Sequence, residues 1–407
     1  MPITAQELGG RLRIARQACG LTQDDVARFL GVSRPTVAQM ELGNRAVTSL
    51  ELEKLAHFFG RDLREFFAET FEEEDALAAL FRAEPEIARQ PEVAESLRAA
   101  VALGREINNI ENLLGINREL VGAVSFEVPA PRSRWEAIQQ GERAADQERR
   151  RMGLGFAPAP PLPELFETQG VRTGAVDLPD DVSGLTISNR RAGILILANR
   201  RHAPVRRRFS FAHEYAHTLF DRRLLGTVSR TENRDDLIEV RANAFAAAFL
   251  MPEEGVRRFV AALGKGKPSR SKAQVFDEEN AVAVEGRAEP GTQDIQLYDV
   301  VHLAHHFGVS RLAALFRLLN LKLVTKAEFE QLKAADEAGY GREVATLLSL
   351  PDEDGDDKDG FRHRVLSLAL EAYRRELITR AKLMELAALL SMQQEDVAHL
   401  LERAGLA

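Results

Sequence analysis

One cysteine in 407 residues leaves Cys19 without an internal partner. No disulfide framework holds the chain, and a reducing cytoplasm is the expected setting. Cys19 falls on the apolar side near the end of the first helix, so it is read as a small core residue rather than a redox switch. The sequence also lacks a run of 18 apolar residues, which excludes a membrane-spanning helix. The opening Met-Pro-Ile-Thr-Ala-Gln-Glu does not have the layout of a signal peptide. Nor is there a surplus of positive charge: 54 Lys and Arg against 62 Asp and Glu give −8. That balance argues against a general polyanion or membrane-surface binder. What the chain does have is 45% hydrophobic residues, enough for sizeable cores in two or three domains.

The most informative residues are His213-Glu-Tyr-Ala-His217, inside the apolar stretch Phe209–Phe220. On a helix, positions i and i+4 share one face, so His213 and His217 can present two imidazoles to one metal ion. Glu214 sits beside them, able to take a proton from metal-bound water; this is the HExxH pattern of zinc peptidases. A lone histidine on an apolar helix is more often a hydrogen-bonded core residue. Two of them flanking a glutamate among Phe, Ala and Leu are harder to explain that way, because burying three ionisable groups is costly without a compensating cation. His202 and the pair His305-His306 lack such a context and are read as ordinary histidines.

A catalytic zinc needs a third protein ligand and keeps its fourth position for water. The segment from Asp235 to Met251 reads as a second helix, with Ile238, Ala242, Phe245, Ala246, Phe249 and Leu250 at helical spacing. Asn233 or Asp235 is expected to cap its start, and Pro252 to stop it. Glu239 is taken as the third ligand, and Asn243, one turn later, as a group that orients a ligand from behind. The plain alternative for Glu239 is a solvated acid on a helix that already carries Arg241.

These blocks resemble the ImmA/IrrE-type metallopeptidases. The resemblance rests on Arg208-Phe-Ser-Phe-Ala-His-Glu-Tyr-Ala-His-Thr-Leu219, on Glu239-Val-Arg-Ala-Asn-Ala-Phe-Ala246 with Leu250-Met-Pro252, and on Asp299–Ser310. Tyr215-Ala216 stands where the family typically has Leu-Gly. Carried over, the resemblance implies zinc at His213, His217 and Glu239, with Glu214 as general base and a gluzincin-like layout. It also implies cleavage of a DNA-binding repressor in a stress or mobile-element response. Zn2+ is the expected cofactor, one per chain, with Mn2+ as the alternative. The oxyanion stabiliser is not identifiable; Tyr298 and His202 are the only guesses.

Residues Leu8 to Phe67 break into short helices with clear punctuation. Thr22 caps Gln23–Leu30, with Asp25 completing a near-capping box. Gly31 closes that helix, Ser33 caps the next and Pro35 sits in its first turn. Thr48 or Ser49 opens Leu50–Phe59. Two short helices joined by a tight glycine-containing turn are the form of a helix-turn-helix. The segment resembles XRE-type, lambda-repressor-like DNA-binding domains through Leu21–Ala27, Gly31–Gly43 and Leu55–Phe59. That resemblance places Arg34, Thr36 and Gln39 toward base edges or phosphates, Gln23 at a helix N-terminus suited to phosphate, and Asn44 and Arg45 on the backbone. Residues 1–69 carry nine basic and nine acidic side chains. Non-specific binding should therefore be weak, and a dimer on a specific double-stranded operator is the expected mode; a helix-turn-helix used only for protein contact is the alternative.

The remaining segments frame these two units. Glu72 to about Leu120 reads as helices that space the domains or support a homodimer, and Val128–Arg134 as a break. Trp135–Met152 reads as a charged helix opening the peptidase domain, followed by the Pro-rich connection Phe156–Pro163. Gly184–Ser188 and Gly193–Ala198 read as strands around an Asn189-Arg-Arg turn, giving a small sheet whose edge could take an extended peptide. Gly264–Lys272 reads as a basic mobile loop and Asp352–Asp359 as a linker without the spacing of a calcium loop. Phe361–Ala407 reads as helices without an assigned function. The expected fold is mainly α with a small β-sheet, an α+β layout. Its parts are an N-terminal helix-turn-helix domain (1–69), a helical linker (70–134), a metallopeptidase domain (135–325) and a C-terminal helical region (326–407). The expected function is a DNA-binding regulator that cleaves a protein substrate, with no membrane partner. A non-proteolytic transcription factor or antitoxin-like regulator, using the zinc fold as sensor or scaffold, is the competing reading.

Overall fold

The computed structural model describes residues 3–61, 63–69, 71, 80–81, 90–116, 128–189, 193–221, 226–230, 232–265, 270–276, 281–287, 293–347, 360–390, 392 and 397. Asp352–Asp359 lies outside them, as do parts of the stretches expected at 72–120, 264–272 and 361–407.

Side-chain caps define the first unit. Thr4 opens α1 (Ala5–Ala18) and Thr22 opens α2 (Gln23–Leu30), each in a reciprocal capping box. Gly31 ends α2 at φ +69°, a conformation that costs glycine nothing. Ser33 caps α3 (Arg34–Glu41) and Thr48 caps α4 (Ser49–Phe58). These helices close over Leu12, Ala15, Val26, Val37, Leu52, Leu55 and Phe59. Cys19 belongs to this core, its thiol 3.5 Å from the Phe59 carbonyl. Beneath α3 the Arg16 fork grips Glu41, Nε to Oε1 at 2.6 Å and Nη2 to Oε2 at 3.1 Å.

Three helices lead into the sheet: α5 (Pro91–Leu113), α6 (Arg134–Arg151) and α7 (Leu162–Thr168). The sheet contains β1 (Val171–Val176), β2 (Val182–Asn189), β3 (Gly193–Asn199) and β4 (Gly226–Arg230) in the order β1-β3-β2-β4. β1 runs parallel to β3, and the other pairings are antiparallel. Sequence patterning marks β2 and β3; β1 and β4 extend the sheet on either side of them. Alternation along each strand divides its residues between two cores. Leu185, Ile187, Leu195 and Leu197 join Leu97 and Val101 of α5, while Ile194, Ile196 and Ala198 join the cluster that contains Phe211, Ala212 and Ala216.

That second cluster is built on α8 (Pro204–Phe220) and α9 (Leu237–Leu250). α9 starts two residues later than the sequence pattern suggests, with Asp236 at its N-cap. Asn233 instead bridges the Val228 carbonyl and the Arg230 N–H. α10 (Glu253–Ala262) follows Pro252, and an antiparallel hairpin pairs β5 (Arg270–Phe276) with β6 (Ala281–Arg287). The end of the expected basic loop, Arg270–Lys272, is therefore strand. Helices α11 (Leu297–Phe307), α12 (Arg311–Asn320), α13 (Lys326–Glu337), α14 (Tyr340–Leu347), α15 (Gly360–Arg374) and α16 (Arg380–Leu389) complete the described chain. The layout is mainly α with a small mixed sheet, as expected. No helix among the described residues is long and apolar enough to cross a membrane.

Candidate metal centre

α8 begins at Pro204, where a missing N–H leaves nothing unsatisfied, and every residue from Ser210 to Leu219 is buried. Its aromatic neighbours fix its rotation. Tyr215 stacks on Phe166 with ring centroids 4.1 Å apart, and its hydroxyl donates to Glu148 Oε1 at 2.6 Å. Burial pushes the Tyr215 phenol well above its usual range, and the Glu148 carboxylate adds to the effect. The Tyr215 side chain is thus packed against α6. α9 comes close to α6 because Gly141 has no Cβ; one there would lie 2.4 Å from the Arg241 carbonyl oxygen.

These constraints bring His213, His217 and Glu239 together, with one ligand-capable atom from each within 4.8 Å of the others. His213 Nε2 lies 3.0 Å from Glu239 Oε2 and 3.2 Å from His217 Nε2, and His217 Nε2 lies 3.5 Å from Glu239 Oε1. All three residues are 5% exposed or less. Behind them, His213 Nδ1 is 3.0 Å from Asn243 Oδ1 and His217 Nδ1 is 2.9 Å from Asp221 Oδ2. Both outer oxygens accept, so each Nδ1 donates outward and each Nε2 is the nitrogen turned toward the cluster. Two ring nitrogens and a carboxylate then converge on one point. Such a donor set fits a divalent cation, and paired imidazoles suit zinc. The same crowding shapes the local titrations. Burial opposes the charge of His217, but hydrogen bonds to Asp221 and Glu239 outweigh it and push the imidazole up to about 10. Burial likewise opposes the Glu239 carboxylate, yet the two imidazoles hold it down to about 2.

Glu214 is fully buried against the sheet. Thr186 Oγ1 donates to its Oε2 at 2.8 Å and Ser229 Oγ to its Oε1 at 2.6 Å. Gly184 leaves room for it: a Cβ there would lie 3.1 Å from Glu214 Oε1. Four residues at this centre escape the sequence reading: Asp221, Arg241, Thr186 and Ser229. Asp221 had a usable signal, since it follows His217 by four residues and shares its face. Arg241 pairs with Asp221, Nη2 to Oδ1 at 2.8 Å, across the two helices. Thr186 is a polar interruption between Leu185 and Ile187, while Ser229 sits in a strand too short to recognise. Of the guessed oxyanion donors, exposed Tyr298 accepts from Lys265 Nζ at 3.2 Å and His202 Nε2 faces the Asp180 carbonyl at 3.3 Å. Neither is part of the cluster.

The DNA-facing candidates collect on α3, the start of α2 and the loop after α3. Arg34, Gln39 and Asn44 are exposed, and the Asn44 amide donates to Gln39 Oε1 at 2.9 Å. Thr36 is half-buried with its hydroxyl 2.9 Å from Ser33 Oγ, and Arg45 pairs with Glu51 at 2.9 Å. Gln23 points inward and donates to Glu41 Oε2 at 3.0 Å.

Residues 166–267 match the peptidase M78 family model, described as an IrrE N-terminal-like domain; the match takes in all of α8 and α9. Residues 12–66 match a helix-turn-helix family model. No curated protein matches the chain. Together the two matches show that this chain joins an XRE-type helix-turn-helix domain to an IrrE-like, metallopeptidase-type domain.

Proposed function

We propose that the protein is a DNA-binding transcriptional regulator whose central domain is a zinc-dependent endopeptidase of the HExxH-plus-glutamate, gluzincin-like kind. The observation that carries this reading is the convergence of three ligand-capable atoms, from His213, His217 and Glu239, within 4.8 Å of one another. In this reading those three side chains hold one zinc, and Asn243 orients His213. Zinc bound there supplies a Lewis acid that polarises a carbonyl and brings the pKa of its water to about 7.

The chain's own groups do the rest. Glu214 takes the proton of the attacking water and hands it to the leaving amine. A purely structural metal site has no use for such a base and usually has four protein ligands. β4 pairs only with β2 among the described strands, so its other edge is open to an extended substrate by strand addition. An added strand presents each carbonyl of the substrate at a fixed spacing. The N-terminal domain reads a double-stranded operator, as a homodimer, with Arg34, Thr36 and Gln39 in the major groove and Gln23, Asn44 and Arg45 on the backbone. The substrate is a repressor or another regulatory protein of a stress or mobile-element response. The functional division is 1–69, 70–134, 135–325 and 326–407.

The test is Glu214→Gln, assayed for zinc content, operator binding and cleavage of candidate repressors from the neighbouring genes. Retained zinc and DNA binding with abolished cleavage is the expected result. Normal promoter control in cells by this variant would instead favour the regulator that uses its zinc fold as a scaffold.

A further inference from the structure

The two histidines of the cluster are supported from behind by different chemistry. His213 leans on a neutral amide, Asn243 Oδ1, from α9. His217 leans on a carboxylate that is itself engaged twice: Asp221 Oδ2 lies 2.9 Å from His217 Nδ1, and Asp221 Oδ1 accepts from Arg241 Nη2 at 2.8 Å. Arg241 is 3% exposed. Its guanidinium lies over the Phe220 ring at 4.3 Å, and its Nη1 is 3.4 Å from Gln140 Oε1 of α6. A flat cation clamped between a ring, an amide and a carboxylate has little freedom to turn.

Resting on the zinc reading above, we infer that Asp221, clamped by Arg241, is the positioning residue that decides which nitrogen of His217 faces the metal. A carboxylate can only accept, so it keeps a proton on Nδ1 and leaves Nε2, directed at His213 and Glu239, as the nitrogen that binds metal. Arg241 adds a second effect. With Oδ1 held by the guanidinium and Oδ2 by the imidazole, Asp221 cannot swing inward to become a fourth ligand without breaking a buried ion pair. The cluster of converging ligand atoms accordingly contains His213, His217 and Glu239 but not Asp221. A fourth position is thereby kept for water or substrate, as a catalytic zinc requires. α9 contributes Glu239 as a direct ligand, Asn243 behind one histidine and, through Arg241, the clamp behind the other.

Asp221→Asn tests this at nearly constant shape. The amide has one accepting and one donating end, so it can satisfy Arg241 or His217 but not both. With its oxygen kept by Arg241, its nitrogen confronts His217 Nδ1 and drives the ring proton to Nε2, the atom the metal needs. Zinc affinity is measured by competition with a chromophoric chelator, and the tautomer of the neutral His217 ring by nitrogen-15 NMR of the zinc-free protein followed across its pH titration. The expected result is zinc binding weakened about 10–100-fold together with an unprotonated Nδ1. Arg241→Lys keeps the charge but loses the fork; about tenfold weaker binding is expected from it, which preserves the test should Asp221→Asn fail to fold. Unchanged affinity and an Nδ1 that stays protonated in Asp221→Asn would overturn the inference while leaving the zinc reading intact. A wild-type protein that takes up no zinc would overturn both.

Discussion

The helices of the candidate metal centre, α8 and α9, and the candidate DNA-reading helix, α3, are prepared for their proposed ligands in opposite ways. At α8 and α9 the four candidate groups are 5% exposed or less, and their polar atoms already face one another or an outer partner. At α3 the candidates Arg34, Gln39 and Asn44 stand in solvent; Arg34 comes no nearer to Asp24 than 3.9 Å, and Gln39 and Asn44 bond to each other. Ligands that are already held in place spend less on ordering when a metal binds, so a buried, braced cluster suits one. Base edges and phosphates are themselves wet, and a reading surface can stay hydrated until it docks. Rigidity is not absent from the N-terminal domain. It lies one layer down, in the Arg16–Glu41 pair and the Gln23 amide that fix α3 from beneath.

The largest test of this contrast is Glu239→Ala. Removing a direct ligand should abolish stoichiometric zinc uptake, a greater loss than the about 10–100-fold that an outer partner is worth. Operator affinity should not move. Metal analysis of the purified variant beside a fluorescence-anisotropy titration with operator DNA checks both halves; a parallel loss of DNA binding would show that the two regions are not separate. Glu41→Ala is the mirror experiment. It leaves Arg16 buried and uncompensated, which costs about 3–5 kcal/mol of stability in the N-terminal domain. Urea unfolding should show that loss, while the same protein keeps its full zinc content.

Gly141→Ala probes how far the dry site depends on helix approach. The new methyl would lie 2.4 Å from the Arg241 carbonyl oxygen, so α6 and α9 must separate. Overpacking of this kind costs about 1–3 kcal/mol, and a thermal melt of the variant should register it. Because Glu239, Arg241 and Asn243 ride on α9, zinc affinity should fall in the same sample.

The unequal legibility of the molecule follows from the same contrast. The meeting of His213, His217 and Glu239 was legible from sequence because the pattern sets a few residue types at a helical spacing, on helices whose apolar faces are unmistakable. The caps at Thr22, Ser33 and Thr48 were legible for a similar reason, since each acts within three residues of itself. The pairing of Asp221 with Arg241 was not, because it joins two helices and depends on how those helices cross. Nor did Ser229 stand out: β4 has five residues, and only its pairing with β2 makes it a strand. Gln23 is a mixed case. Its position at a helix N-terminus suggests a phosphate contact, and what the sequence did not show is that its amide also donates to buried Glu41.

The smallest effect is expected where the surface is most open. Gln39→Ala removes a side chain whose amide oxygen is already occupied by Asn44, so reaching a base means giving up that bond. A well-placed side chain is worth about 1–3 kcal/mol of discrimination between bases, and the competing contact puts Gln39 near the lower end. The expected outcome is an operator affinity reduced by about 1 kcal/mol, with preference relaxed at a single base pair. The melting temperature should be unchanged, because an exposed residue on α3 contributes nothing to the core beneath it. Competition binding against operators varied at each position separates this from loss of a phosphate contact, which would weaken all sequences alike and flatten the salt dependence. A lowered melting temperature with operator affinity and base preference unchanged would mean that Gln39 and Asn44 brace the loop after α3 rather than read DNA.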